Sequence, residues 1–217
     1  YPHLQFAGSQ CFLKADLTCT GCHANHGSDL PVELIADPAG GDLCARCHPD
    51  VMADVRAHTF HDPVGKGSDC KACHMPEMFL SYLTVTDHRL TVPVPEASAR
   101  LGIPNACNSA GCHSGESPEW ASSKASAWWG DYQTERVDQA QAIEWGRERD
   151  KRGLPGLLRI LEDGSEDPLL RGGATTLIGR IGEVSSLPTL LVALDDSNQV
   201  IRSRAAVAVG AIGHPSA

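Results

Sequence analysis

The sequence predicts two unlike halves: a mostly irregular, partly α-helical N-terminal domain that needs a core beyond its own side chains, then an all-α domain of helical repeats. Three observations predict this. All nine cysteines fall in the first 112 residues, eight of them in four strings that end in Cys-His. That half is short of ordinary core formers and rich in Pro, Gly, Asp and Asn, so it would struggle to bury enough apolar surface unaided. The last 65 or so residues hold no cysteine or aromatic residue, are rich in Leu, Ile, Val, Ala and Gly, and repeat themselves. The expected boundaries are a cysteine-rich domain over 1–116, a helical connector over 117–152 and repeats over 153–217.

The cysteine strings come first. CTGCH supplies Cys19, Cys22 and His23; CARCH supplies Cys44, Cys47 and His48; CKACH supplies Cys70, Cys73 and His74. A fourth string, CNSAGCH, is stretched, with four residues between Cys107 and Cys112 before His113. In a c-type haem site each sulfur bonds a vinyl-derived carbon of the porphyrin, and the histidine after the second cysteine ligates iron. One helical turn between the sulfurs places both under the same ring edge. Zinc knuckles and disulfides also use Cys-x-x-Cys pairs, but neither requires a histidine directly after every second cysteine. The reading is therefore four c-type haems (iron), with His23, His48, His74 and His113 as proximal ligands. Four apolar porphyrin plates around which the N-terminal half is organised would also supply its missing core.

The sixth ligand of each iron decides between electron carriage and catalysis. Six histidines lie outside the motifs: His3, His26, His58, His61, His88 and His214. Met52, Met75 and Met78 are substitutes in principle. His26 lies too close to its own motif to reach round that haem, and is expected on a neighbouring one. His58 and His61 are three residues apart and face similarly if their segment is helical, which suits two closely packed haems. His88 follows a strand-like run, SYLTVTDH, that can carry it elsewhere. His3 is held in reserve, either in the same subunit or in trans, and His214 reads as a surface residue.

Net charge is −9 and pI about 5.5, and haem propionates would add negative charge, so nucleic acid and anionic membrane are poor partners. No stretch approaches the roughly 18 apolar residues of a spanning helix. The chain starts at Tyr1 without a signal peptide and reads as mature, processed protein. Covalent haem attachment of this kind takes place outside the cytoplasmic membrane, so a periplasmic or extracellular location is expected. Cys11 is left over, either as a buried thiol or as an intersubunit disulfide.

From "HTFHDPVGKGSDCKACHMPEMFLSYLTVTDHRLTVPVPEASARLGIPNAC" onward the sequence resembles a family of extracytoplasmic multihaem cytochromes in which haem modules precede tetratricopeptide or HEAT repeats. The matching parts are ordered: His58 and His61 as H-x-x-H, Cys70 to Pro76 as C-x-x-C-H-M-P, Asp87 and His88 as the Asp-His pair, and Pro104 to Cys107 as P-N-A-C. Upstream, LTCTGCHANHG is similar to the family's C-x-x-C-H-x-P-H, with Asn25 in place of proline. The resemblance covers roughly residues 5 to 130. It implies bis-histidine haems, with His26 the distal ligand of another haem, and electron transfer. The stretched last motif departs from the family. Gly111 with small Ser109 and Ala110 would let the loop bulge while both sulfurs reach the ring; a single thioether through Cys112 is the alternative.

Further on, Ser117, Pro118, Glu119 and Gly130 mark a helix over 117–130 by cap, first-turn and terminator signals. Trp120, Lys124 and Trp128 share one face, where the tryptophans either pack or relay electrons. A more charged helix from about Gln133 to Lys151 is expected to bridge to the repeats. There, LPGLLRILED at 154 aligns with LPTLLVALDD at 187, an offset of 33, and LRGGATTLIGRIG at 170 aligns with IRSRAAVAVGAIG at 201, an offset of 31. Each unit pairs a Leu-rich helix with one bearing small residues, the HEAT-like pattern. The chain stops where a third unit would begin. Val207, Val209 and Ile212 would then be exposed, so either residues are missing or this side is covered as a docking or assembly surface.

The functional expectation is a tetrahaem c-type electron-transfer protein, not an enzyme, whose partners are other redox proteins or copies of itself. It would act as a shuttle, a respiratory subunit or a subunit of a haem wire or filament. The rival is a multihaem reductase of small nitrogen or sulfur oxyanions with one open haem.

Overall fold

A computed structural model describes residues 2–37, 41–80, 82–109 and 111–213; the expectations for Ala110 and His214 fall outside that set. The chain divides into two compact units, Tyr1–Gly130 and Asp131–Ala217. Among the described residues no helix is long and apolar enough to cross a membrane.

The first unit consists of short elements held by caps and turns. Helices α1 (Pro2–Ala7) and α2 (Gln10–Ala15) are joined at Ser9, whose hydroxyl accepts the Phe12 N–H at 3.2 Å and starts α2. A 3-10 turn, Cys19–Gly21, carries the first motif. Three helices of about one turn follow: α3 (Asp42–Ala45), α4 (Pro49–Ala53) and α5 (Val55–Thr59). The third motif forms its own helix, α6 (Cys70–His74). Strands β1 (Glu77–Leu80) and β2 (Leu83–Thr86) pair as an antiparallel hairpin with Met78 opposite Val85 and Phe79 opposite Thr84. The strand-like run before His88 is thus β2, and β1 is the partner the sequence pattern left unnoticed. Helix α7 (Pro95–Leu101) packs against α8 (Pro118–Trp129).

The caps of α8 are those expected: Ser117 Oγ accepts the Trp120 N–H at 3.2 Å, Pro118 opens the helix and Gly130 ends it at φ 74°. Among the described residues of this unit, the buried apolar side chains are Leu34, Pro95 and the alanines Ala97, Ala106, Ala121 and Ala125. So little apolar burial is far below what offsets the chain entropy of a domain this size.

The second unit is a packed helical stack: α9 (Gln133–Arg147), α10 (Leu154–Glu162), α11 (Pro168–Ile181), α12 (Leu187–Ala193) and α13 (Gln199–Ile212). Its core is one cluster that includes Leu157, Ile160, Leu161, Ile178, Leu190 and Ile201, all at 2% exposure or less. Helix α9 stops four residues short of the expected Lys151. Arg149 takes a left-handed φ of 59°, and the Asp150 carboxylate accepts the Arg152 N–H at 2.9 Å to start a new turn. Nor is α9 a bridge: it packs on α10 and α11, burying Val137, Ala142 and Gly146. The expected exposed side at the chain end is smaller than its sequence suggests. Val207 is exposed, whereas Val209 is buried and Ile212 half-buried.

Candidate functional site

The motif loops share one backbone device. The His23 N–H donates to the Cys19 carbonyl at 2.9 Å, and the His48 N–H to the Cys44 carbonyl at 2.9 Å. In the third motif α6 does the same work, started by Asp69, whose carboxylate accepts the Lys71 N–H at 2.9 Å. The stretched motif preserves the bond across its two extra residues: the His113 N–H donates to the Cys107 carbonyl at 3.0 Å. Gly111 absorbs the bulge at φ 81°, in the region where glycine is unstrained. Asn108 staples the loop. Its side-chain amide donates to the carbonyls of His113 at 3.1 Å and Glu116 at 2.9 Å, and its N–H donates to Asn105 Oδ1 at 3.1 Å.

The four loops adjoin in chain order. Arg46, within the second motif, donates to the Gly21 carbonyl of the first at 3.0 Å. A β-carbon built on Gly41, just before α3, would lie 3.5 Å from Cys70 Sγ, so the second motif lies beside the third. Burial first, and then the nearby Cys107 and Cys112 thiols, raise Cys73 to about 11. Cys11 lies near Cys22 and Cys47, its thiol raised first by burial. No two of the nine cysteines are joined in a disulfide.

The histidine rings come together in pairs. His23 faces His88 with ring centres 6.3 Å apart and planes 26° from parallel; His74 faces His58 at 6.1 Å and 20°; His113 faces His61 at 6.0 Å and 41°. Three motif histidines, far apart in sequence, each meet a different expected distal histidine. His48, His26 and His3 are exposed.

Hydrogen bonds set the tautomers. Nδ1 of His23 lies 2.9 Å from the Val32 carbonyl, that of His74 2.9 Å from Thr91 O, that of His88 2.9 Å from Thr86 O, and that of His61 2.5 Å from Thr59 O. A carbonyl only accepts, so each Nδ1 carries the proton and each Nε2 keeps its lone pair for a metal. The acceptor for His23 comes from a strained turn, since Val32 and Glu33 sit at φ 53° and 57°. This turn is tied to the first motif by Ile35 N–H to Cys22 O at 3.0 Å and Ala24 N–H to Glu33 O at 2.6 Å. Burial lowers His74, and the nearby His58 and His48 lower it further, which favours the neutral, ligating imidazole.

Asp87, next to His88, is tied to Arg89. Its buried carboxylate takes two bonds from Arg89 Nε at 2.9 and 3.0 Å and one from Nη2 at 2.5 Å. Burial alone would raise this carboxyl; the Arg89 bonds outweigh it and hold the group below the usual carboxylate range. The His88 N–H donates to Gln5 Oε1 at 3.3 Å, tying β2's end to α1.

His58 and His61 do not face similarly, as a continuous helix would have required. α5 ends at Thr59, and Phe60 takes a left-handed φ of 56°, so the two imidazoles diverge to His74 and His113. Sequence reasoning missed what holds this turn: Trp129 Nε1–H donates to the His58 carbonyl at 2.8 Å, and Phe60 stacks on Trp128. The pair of adjacent tryptophans was visible, but only Trp120 and Trp128 fall on the face read from helical periodicity. On that face Trp120 meets His113 at 4.8 Å, and Lys124 Nζ lies 5.9 Å from the Trp120 ring.

These residues fit haem iron. A metal–imidazole nitrogen bond is about 2.0 Å and the ring centre lies about 1 Å further on, so two imidazoles on one iron stand about 6 Å apart centre to centre. The three pairs have this spacing; two have planes within 26° of parallel and the third is tilted by 41°, and the Nδ1 bonds of His23, His61, His74 and His88 leave their Nε2 atoms for a metal. A zinc knuckle would instead draw thiolates and imidazoles together around one point, and among the described residues no three His, Cys, Asp or Glu side chains gather in that way.

Residues 13–53, which hold the first two motifs, match the family described as the doubled CXXCH motif, and residues 154–217 match HEAT repeats. No curated protein matches the chain. The two matches support covalent haem c binding in the first unit and HEAT repeats in the second, an architecture like that of a multihaem cytochrome.

Proposed function

We propose that this chain is an electron carrier holding four c-type haems, attached at Cys19 and Cys22, Cys44 and Cys47, Cys70 and Cys73, and Cys107 and Cys112. When bound, haem c would supply a one-electron iron couple, and two histidines per iron would close it to outside ligands. The chain supplies those ligands: His23 with His88, His74 with His58, and His113 with His61. The observation that carries the reading is the spacing of 6.0 to 6.3 Å between these rings. His48 is the fourth proximal ligand. His26 is its expected partner, since the Arg46 bond to Gly21 brings the two segments side by side, and His3 is the reserve, in this chain or a neighbouring copy. Motifs that adjoin in chain order support electron passage from one haem to the next.

The expected setting is periplasmic or extracellular, with redox proteins or further copies of the chain as partners, the latter forming a wire. The HEAT repeats are the docking surface. A groove of about 430 Å³ in this unit is lined by Ile143, Arg147, Leu170, Gly172, Arg180 and Arg204, a charge pattern that suits an acidic partner.

Haem content per chain and mass spectrometry of haem peptides test the count and the eight thioethers; four haems and all eight bonds are expected. Low-temperature electron paramagnetic resonance and carbon monoxide difference spectra test the axial ligands. All-low-spin iron that ignores carbon monoxide is the expected result. One high-spin, carbon monoxide-binding haem would instead favour the oxyanion reductase, with the exposed His48 site as the open one.

A further inference from the structure

We propose that Phe60, Trp128 and Trp129 form an aromatic latch that positions the distal histidines of two haem sites at once, locking His58 towards His74 and His61 towards His113. The inference rests on the axial pairing proposed above.

Two histidines three residues apart on a helix share a face and would crowd towards one neighbour. Here they diverge because Phe60, between them, adopts φ 56° and ψ 22° and caps α5, its N–H donating to the Arg56 carbonyl at 2.8 Å. A bulky residue in the left-handed region is strained and persists only where its surroundings hold it. Those surroundings come from the end of α8. The Phe60 ring stacks on Trp128 at 5.1 Å with planes 5° apart and meets Trp129 edge-on at 6.0 Å and 76°. Trp128 and Trp129 meet edge-on at 5.4 Å.

Both tryptophans also reach the ligand segment directly. Trp129 Nε1–H donates to the His58 carbonyl at 2.8 Å, which fixes the last turn of α5. Trp128 abuts the His61 ring at 5.7 Å and 78°, and the Thr59 carbonyl holds its Nδ1–H. One pair of indoles therefore sets the plane and tilt of two imidazoles that ligate different irons. Ring orientation and axial-ligand basicity tune haem potential, so the third and fourth sites are tuned together. A core-packing role alone would leave the potentials of these two sites uncoupled from the indole N–H.

The test uses the full haem-loaded chain. Trp129→Phe removes the N–H donor and keeps the ring; Phe60→Gly keeps the backbone angle accessible and removes the stack. Each is expected to shift the low-spin resonance signals and the midpoint potentials of the same two haems, those at His74 and His113. The haems at His23 and His48 should keep theirs, with haem content and circular dichroism unchanged. No shift, a shift at only one of the two, or an equal shift at all four overturns the latch. Trp128→Phe gives an independent reading of the same outcome should either variant lose haem. His58→Ala and His61→Ala examine the axial pairing separately: each should turn one haem high-spin, and if neither does, the pairing fails rather than the latch.

Discussion

Gly179→Ala tests the repeat stack through the sign of its effect. A methyl built on Gly179 would lie 2.7 Å from Ala208 Cα and 2.8 Å from Ala208 Cβ, where α11 crosses α13. Carbon atoms in good contact stand about 3.5 to 4.0 Å apart, so the two helices would have to retreat by roughly 1 Å. Overpacking of this kind costs about 1 to 3 kcal/mol, against a helix-propensity gain of about 1 kcal/mol for replacing a mid-helix glycine. A net loss of about 1 to 2 kcal/mol is expected because the obstacle is backbone and cannot rotate away. In a unit of this size, residues 131–217, each kcal/mol moves Tm by about 4 to 8 °C. Thermal melts of the haem-loaded chain by far-ultraviolet circular dichroism should show a drop of about 4 to 15 °C in the repeat transition. Gly173→Ala is the control, since that glycine is exposed in the same helix with nothing within 4 Å of the added methyl; it should gain stability. If Gly179→Ala raises Tm as Gly173→Ala does, the close crossing of α11 and α13 is wrong.

Other consequences are open to direct measurement. Gly67→Ala drives a methyl into the His61 ring and Cβ, so on the proposed pairing it should perturb or empty the distal position at His113 and leave the other haems' spectra intact. Cys107→Ser should retain its haem through Cys112 alone, read as one thioether in the haem peptide where the parent chain has two. Asp196→Asn strips the guanidinium of Arg171, paired at 2.6 Å with both side chains under 14% exposed, and should cost about 3 kcal/mol. Burial would raise Asp196, but the Asn198 N–H and Arg171 outweigh it, so its folded value lies below the unfolded value of about 3.9. Its stabilisation is therefore whole above pH about 4 and lost as acid protonates the folded carboxylate. The Tm gap between parent and variant should close over that range.

The doubled Cys-x-x-Cys-His motif of residues 13–53 was legible because covalent attachment confines cysteines and histidine to one turn, a local constraint that sequence spacing records. The repeats were legible for a similar reason: a stack of like units writes its period into the chain, and the α10 to α13 helices sit where the two aligned segments begin. What depended on distant partners was less visible. His58 and His61 stood out as candidates, yet their divergence comes from Phe60 in a left-handed turn held by residues of α8, some 70 positions away. Asn108 read as one of four loop fillers, though its amide and N–H close the stretched motif. The end of α9 was misplaced because helix-friendly charged residues run on past the point where Asp150 caps the next turn.

The three facing histidine pairs also differ in the length of chain each closes: 16 residues for His58 and His74 (74 − 58), 52 for His61 and His113 (113 − 61), and 65 for His23 and His88 (88 − 23). Loop-closure entropy grows as the logarithm of length, so closing the longest costs about 1.2 kcal/mol more than closing the shortest. Contacts local in sequence form first. On the proposed pairing, the site at His74 would close earliest as the chain folds. The site at His23 would wait longest for its second histidine, because His88 follows the third motif in the chain.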